Sequence, residues 1–142
     1  MEKDTLMLLK ECNSGVKMGE AAFSKVLPRV KDEELKKTLR AGQSSNKAIG
    51  EELRQRLCSM GSDSKTSHPV AQAMSEMKIS AKMLMPTDKG IATLMTDGCD
   101  MGIKYVNSYL NEYTEADEDS RDLAKRLIAS EEFLEKKLRP YL

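Results

Sequence analysis

The sequence predicts an all-α protein, built as four long helices that form two helical hairpins. Apolar and small residues recur at steps of three and four along most of the chain, as one face of an α-helix requires. No stretch alternates apolar and polar residues for long enough to indicate a β-strand. A polar interruption and a repeated phrase divide the chain into the two hairpins.

The first hairpin is predicted to span residues 5–61. Its first helix is expected to begin with Asp4 or Thr5 as the cap and to be interrupted at Pro28, which disfavours the helical conformation of the residue before it. Asp32 is expected to cap the second helix, and Gly61 to end it. The periodic positions are Leu6, Leu9, Cys12, Val16, Gly19, Phe23 and Val26, then Leu35, Leu39, Gly42, Asn46, Ile49, Leu53, Leu57 and Met60.

Residues 62–86 are predicted to connect the hairpins as one long crossover with a short amphipathic helix after Pro69. The only histidine, His68, lies in the polar start of this segment. Its methionines are expected to cover the end of the bundle core, although adaptable side chains of this kind also suit a promiscuous binding surface. They are Met74, Met77, Met83 and Met85.

The second hairpin is predicted to span residues 87–140. Thr87 or Asp88 is expected to cap its first helix, and the acidic residues 115–120 suit the positive end of the dipole of its second helix. Pro140 closes the hairpin. The periodic positions are Ile91, Met95, Cys99, Gly102, Val106, Tyr109 and Tyr113, then Leu123, Leu127, Glu131, Leu134 and Leu138.

The two hairpins are predicted to be divergent copies of one unit. Cys12-x-x-Gly15 in the first is repeated as Cys99-x-x-Gly102 in the second, a shift of 87 residues. Each copy carries an apolar face that one hairpin cannot bury alone, so the hairpins should pack against each other as a four-helix bundle. Residues 1–142 therefore form a single domain in this prediction.

The composition excludes several classes of function. The chain has 142 residues, with 23 basic and 23 acidic side chains and a formal net charge of zero, which is unlike a general nucleic-acid binder. Its apolar runs are too short for a membrane helix. An odd number of cysteines, three, and an N-terminus unlike a signal peptide predict a cytoplasmic protein.

The chain resembles an uncharacterised bacterial family of ferritin-like four-helix proteins, a domain of unknown function in which Cys-x-x-Gly opens both hairpins. The phrases that carry the resemblance are CNSGVKMGEAAF, KDEELKKTL, AQAMSEMKISAKML and CDMGIKYV. The resemblance implies a ferritin-like bundle and indicates where chemistry would lie. Related di-iron bundles direct a Glu from each of two helices, and Glu-x-x-His from the other two, into the core.

These midpoint positions predict a degenerate di-metal site. The second and fourth helices carry Gln43-x-x-Asn46 and Glu131-x-x-Leu134, and neither contains histidine. The corresponding positions of the first and third helices hold Val16 and Ile103. No metal site is therefore predicted.

The fallback ligands of an atypical site are Glu20, Gln43 and Glu131, with Asn46 as a further oxygen donor. A site that offers only oxygen favours Mg²⁺ or Ca²⁺. The alternative, which we favour, is that Gln43, Asn46 and Glu131 make hydrogen bonds within the bundle and fix its register.

The cysteines are expected to serve in packing. Cys12 and Cys99 occupy equivalent places in the repeat and could in principle form a redox pair, but free cysteine commonly behaves as a small buried hydrophobe. Cys58 has no partner by spacing.

The predicted function is that of a non-catalytic bundle that acts through self-association, as a homo-oligomer, or through a protein partner. No cofactor is expected under this hypothesis. The alternative is a metal-binding ferritin-like protein or a di-iron oxidase-type enzyme with atypical carboxylate ligands, whose cofactor would be iron or manganese.

Overall fold

The computed structural model describes residues 1–62 and 87–142, which form a four-helix bundle. The helices are α1 (Glu2–Val26), α2 (Glu33–Ser59), α3 (Asp88–Glu112) and α4 (Glu118–Leu138), and 3-10 turns follow α1 and α4 at Leu27–Arg29 and Arg139–Tyr141. Within the described ranges there is no strand, which confirms the predicted all-α four-helix class. The predicted crossover helix, its four methionines and His68 lie outside the described residues.

Each helix packs against two antiparallel neighbours. α1 pairs with α2 and α3 pairs with α4, and the pairs meet through contacts of α2 with α4 and of α1 with α3. α3 begins beside the turn that joins α1 to α2, because the Asp88 carboxylate accepts hydrogen bonds from the backbone N–H groups of Lys31 and Asp32 at 2.9 and 3.0 Å. α2 therefore ends at the opposite end of the bundle from the start of α3.

Two apolar clusters fill the bundle, one toward each end. The first contains Leu8, Leu9, Cys12, Val16, Ile49, Leu53, Leu57, Val106, Tyr109, Leu110, Ala116, Leu123, Ala124, Leu127 and Ile128. The second contains Phe23, Val26, Val30, Leu35, Leu39, Ile91, Leu94, Met95, Cys99, Leu134 and Leu138. We call the level between them, occupied by Gly19, Gly42, Asn46, Gly102 and Glu131, the middle layer.

Three helices begin with the side-chain caps that their sequences favour. The Asp32 carboxylate accepts from the Leu35 N–H, the Thr87 hydroxyl from the Gly90 N–H, and the Asp117 carboxylate from the Ser120 N–H. At the far end of α2, Gly61 has a φ of +72°, and the next N–H, of Ser62, returns to the Leu57 carbonyl at 2.9 Å. This left-handed end explains the glycine.

The predicted cap of α1 is wrong. The helix begins at Glu2 and has no side-chain cap. Asp4 instead accepts a hydrogen bond from the Glu115 N–H at 2.9 Å, and the Thr5 hydroxyl accepts one from the Asp117 N–H at 2.8 Å. Both side chains satisfy backbone groups of the turn between α3 and α4, because that turn lies beside the start of α1.

The helices of the described ranges lack the combination of length and hydropathy that crossing a bilayer requires.

Candidate functional site: the middle layer of the bundle

The predicted apolar midpoint is present on α1. Val16 is fully buried and packs directly over Gly50 of α2: a Cβ atom at Gly50 would lie 2.7 Å from Val16 Cγ1. Its counterpart on α3, Ile103, is partly buried against the same apolar cluster. Hydrocarbon therefore stands at the two positions at which the resemblance places carboxylates.

Asn46 satisfies its buried amide on α1. The residue is 5% exposed, and its Nδ2 donates a hydrogen bond to the Val16 carbonyl oxygen at 2.9 Å. Its amide lies against Gly19, where a Cβ atom would come within 3.1 Å of it. This contact confirms the hydrogen-bonding role predicted for Asn46 and explains the glycine opposite it, since a side chain there would crowd the amide.

A partly open cavity of about 70 Å³ lies in the middle layer. All four helices contribute to its walls, which are mostly apolar, with glycines prominent on α1 and α3. Its described lining residues are Glu11, Gly15, Met18, Gly19, Ala22, Phe23, Gly42, Asn46, Met95, Gly98, Cys99, Met101, Gly102, Tyr105, Val106, Tyr109, Leu127, Ser130, Glu131 and Leu134.

Glu131 places a carboxyl group in this cavity. The group rests on Gly102, where a Cβ atom would lie 3.1 Å from Glu131 Cδ and Oε1. Burial raises its pKa from 4.5 to about 7, and a hydrogen bond donated by the Cys99 thiol only partly offsets that effect. Near neutral pH the carboxyl group therefore exists in both protonation states in comparable amounts.

The two buried cysteines are protonated thiols. Burial, with the nearby Glu11 carboxylate as a second cause, raises the pKa of Cys12 to about 12. Burial raises the pKa of Cys99 still further, followed in effect by the charge and hydrogen bond of Glu131. Because the thiolate is the reactive form, neither residue is an activated nucleophile. Cys58 is exposed.

Tyr109 and Glu11 form the second polar part of the cavity. Tyr109 is 7% exposed, and its hydroxyl makes no hydrogen bond of acceptable geometry. Burial raises the pKa of this hydroxyl, and the nearby Glu11 carboxylate raises it further. Glu11, which is 5% exposed, was not among the predicted site residues. Glu11 lies four residues before Gly15, and residues four apart share a helix face. This spacing could have predicted that Glu11 lies on the same side of α1 as Gly15.

The structure brings only one of the three fallback metal ligands to the cavity. Glu131 lines it, whereas Glu20 and Gln43 are partly exposed and do not. Asn107, the repeat counterpart of Glu20, is exposed and donates from Nδ2 to the Ile103 carbonyl at 2.8 Å. In the part of the chain that the structure describes, no three His, Cys, Asp or Glu side chains are grouped so as to hold a metal ion.

Comparison with protein families assigns the chain. The model of the family described as "Domain of unknown function (DUF2383)" matches residues 4–112. The chain belongs to this family. No curated protein matches the sequence.

A solved structure similar to this DUF2383 chain is YcfI from Rhodopseudomonas palustris, described as a candidate structural protein. The two superpose with a TM-score of 0.73 over 98% of this chain and 93% of that one, at 14% sequence identity. At this identity the likeness shows the shared fold.

Proposed function

We propose that this DUF2383 protein is a non-catalytic, ferritin-like bundle that acts by association, first with a second copy of itself and otherwise with a protein partner. The observation that carries the proposal is the use made of the middle layer. The Val16 side chain fills one midpoint position with hydrocarbon, and the Asn46 amide donates its hydrogen bond to the Val16 carbonyl oxygen. The Glu131 carboxyl group contacts Gly102 and lies beside the Cys99 thiol. Val16 and Asn46 serve the packing of the bundle itself.

The state of the thiols supports the same proposal. A catalytic cysteine needs a lowered pKa and access to substrate, whereas Cys12 and Cys99 are buried and have raised pKa values. The structural role suggested for the Rhodopseudomonas palustris protein is compatible with a bundle that carries no reaction.

Phe133 is our candidate contact for association. It lies on α4 and is 63% exposed; the other large apolar residues exposed among those described, Met1 and Leu142, are at the chain ends. The Lys137 ammonium group lies 5.5 Å from the centre of the Phe133 ring. Aromatic side chains are enriched in protein interfaces, because they bury a large apolar area with few rotatable bonds.

The test is the molar mass in solution, measured by size-exclusion chromatography with light scattering over a wide range of protein concentration. We expect a mass above that of the monomer, and a shift toward monomer in Phe133→Ser. Leu142→Ser is the matched control, since it also removes an exposed apolar side chain. A strict monomer at every concentration would refute self-association, and equal effects of both variants would remove Phe133 from the contact.

A second candidate function is that of a metal-binding ferritin-like protein, and one observation favours it. Two carboxylates, Glu11 of α1 and Glu131 of α4, line the same cavity. Elemental analysis of protein purified from iron- and manganese-supplemented cells tests it. Stoichiometric metal that is lost in Glu131→Gln and retained in the exposed control Glu132→Gln would replace our first proposal with this one.

A further inference from the structure

The cavity of the middle layer has an unusual combination of walls and charge. Methionine, phenylalanine, leucine and tyrosine side chains form most of its surface, and the described lining includes no lysine, arginine or histidine. The Glu131 carboxyl group therefore faces a largely apolar space, with the Cys99 thiol as its hydrogen-bond donor. An ionised carboxylate has about four acceptor positions, so this one has room for donors beyond the Cys99 thiol.

A second group points to a ligand independently of Glu131. The Tyr109 hydroxyl lies in the same cavity lining, beside the Glu11 carboxylate, but it makes no hydrogen bond of acceptable geometry, and the residue is 7% exposed. Leaving a buried polar group unpaired costs about 1–3 kcal/mol. A bound molecule or water that completes its hydrogen bonding would recover part of that cost.

The aromatic walls favour a cation. The Tyr105 and Tyr109 rings stack along α3 with centroids 6.4 Å apart, and both line the cavity. The Lys104 ammonium group lies 6.0 Å from the centre of the Tyr105 ring, so that ring already interacts with a cation of the chain itself. Aromatic faces attract positive charge, most strongly where water is excluded. An anionic ligand would meet the Glu131 carboxylate without a compensating cation in the described lining, and a sugar would meet too few polar groups.

The volume limits the size of the ligand. One water needs roughly 10–15 Å³ of such space, so a cavity of about 70 Å³ holds on the order of five non-hydrogen atoms. Gly15 of α1 supplies part of this room, because no described atom lies within 4 Å of a Cβ atom placed on it.

We propose that the central cavity binds a small primary alkylammonium ion, with its ammonium group on the Glu131 carboxylate and its hydrocarbon chain against the methionine and tyrosine walls. The ammonium group offers three hydrogen-bond donors to a carboxylate that otherwise accepts from the Cys99 thiol, and its positive charge neutralises the charge of the carboxylate. The chain replaces water along apolar walls. This site does not depend on the association proposed above, since its residues lie inside one bundle.

Binding is tested with three probes that share one chain length. n-Butylammonium carries the proposed charge, n-butanol carries none, and butyrate carries the opposite charge. Titration calorimetry, with NMR shifts as the site-specific readout, should give saturable binding of the amine, weaker binding of the alcohol and none of the acid. Amine and alcohol binding of equal strength, or no saturable amine binding at millimolar concentration, would overturn the proposal.

Two variants locate the site. Glu131→Gln removes the charge and should weaken amine binding about tenfold to a hundredfold, the value of a hydrogen bond to a charged group. Glu132→Gln, one residue along and exposed, should leave amine binding unchanged. If Glu131→Gln is misfolded by circular dichroism, Ala22→Leu, which fills the cavity from α1, provides the second test: it should abolish binding of both amine and alcohol. Amine affinity unchanged in a folded variant of either kind contradicts the assignment.

Discussion

The two hairpins place different polar groups against a glycine of their first helix. In the first, the partner helix lays the neutral amide of Asn46 against Gly19, and the amide donates to the Val16 carbonyl. In the second, the partner helix lays the carboxyl group of Glu131 against Gly102, beside Cys99. Gly102 belongs to the repeated Cys-x-x-Gly, whereas Gly19 lies four residues beyond its counterpart Gly15. Each hairpin therefore offers a glycine to its second helix, and the side chain opposite that glycine decides whether the middle layer is neutral or ionisable.

The difference shows how one architecture can carry different chemistry. An amide that reaches a backbone carbonyl is satisfied at every pH, so the first hairpin is expected to be electrostatically inert at this level. A carboxyl group in an apolar cavity changes its charge near neutrality, so the second hairpin should respond to pH and to cations. Four predictions test this contrast, beginning with the largest expected effect.

The pH dependence of stability is expected to reside in Glu131. Below pH 4.5 the carboxyl group is protonated whether the chain is folded or unfolded. Between pH 4.5 and about 7 the unfolded state loses the proton and the folded state keeps it, so stability falls as the pH rises. At about 1.4 kcal/mol for each pH unit, the loss is about 3 kcal/mol and is complete above the folded pKa.

Urea unfolding of wild type and Glu131→Gln across this pH range measures the effect. The titratable group in contact with Glu131 is the Cys99 thiol of α3, and it remains in the variant, as does the Glu11 carboxylate elsewhere in the cavity lining. The wild type should lose about 3 kcal/mol relative to the variant as the pH rises. Equal pH profiles would show that Glu131 is not the buried titrating group.

Gly50→Ala is expected to disrupt the close approach of α1 and α2 in the first hairpin. The added Cβ would lie 2.7 Å from Val16 Cγ1, and a valine in a helix has few other rotamers. We expect a loss of about 1–3 kcal/mol in the free energy of unfolding. Val16→Ala in the same chain should restore part of it, so additive effects in a double-mutant cycle would contradict direct contact.

Asn46→Ala is expected to cost about 1 kcal/mol, the net value of a typical buried hydrogen bond. The carbonyl of Val16 loses the donor that reaches it from α2. Ser45→Ala, at the exposed neighbouring position, is the control and should change stability by less than about 0.5 kcal/mol. Chemical denaturation measures both, and a pH-dependent effect of Asn46→Ala would break the contrast between the hairpins.

The smallest difference is expected between the equivalent glycines of the phrase. No described atom lies within 4 Å of a Cβ placed on Gly15, so Gly15→Ala should stabilise the helix by up to about 1 kcal/mol. At Gly102 the same methyl group would lie 3.1 Å from the Glu131 carboxyl group and displace it. Gly102→Ala should therefore raise the thermal unfolding temperature less than Gly15→Ala does, and it should shift the pKa of Glu131. An equal rise in both variants would contradict the contact between Gly102 and Glu131.

Local signals predicted much of the fold. The caps Asp32 and Thr87 and the left-handed Gly61 depend on residues within one helical turn, which the sequence contains directly. The cap predicted from Asp4 and Thr5 was wrong because it depended on distant residues. The side chains of Asp4 and Thr5 accept hydrogen bonds from backbone N–H groups more than a hundred positions away in the chain.

The candidate site was only partly predictable. Glu131 and Asn46 stood out because they interrupt an apolar face, but Glu11 did not, since only the packing of four helices places it in the cavity. The internal repeat, the association and the ferritin-like assignment stay predictions.

The four long helices, their order and the apolar midpoint at Val16 follow from local sequence, because periodicity and capping act over a few residues. Tertiary structure alone decided that α3 crosses Glu131 at a glycine, that a cavity remains between two apolar clusters, and that the carboxyl group within it has a pKa near 7. The desolvation of the Glu131 carboxyl group depends on everything that surrounds it, and most of its surroundings belong to the other three helices.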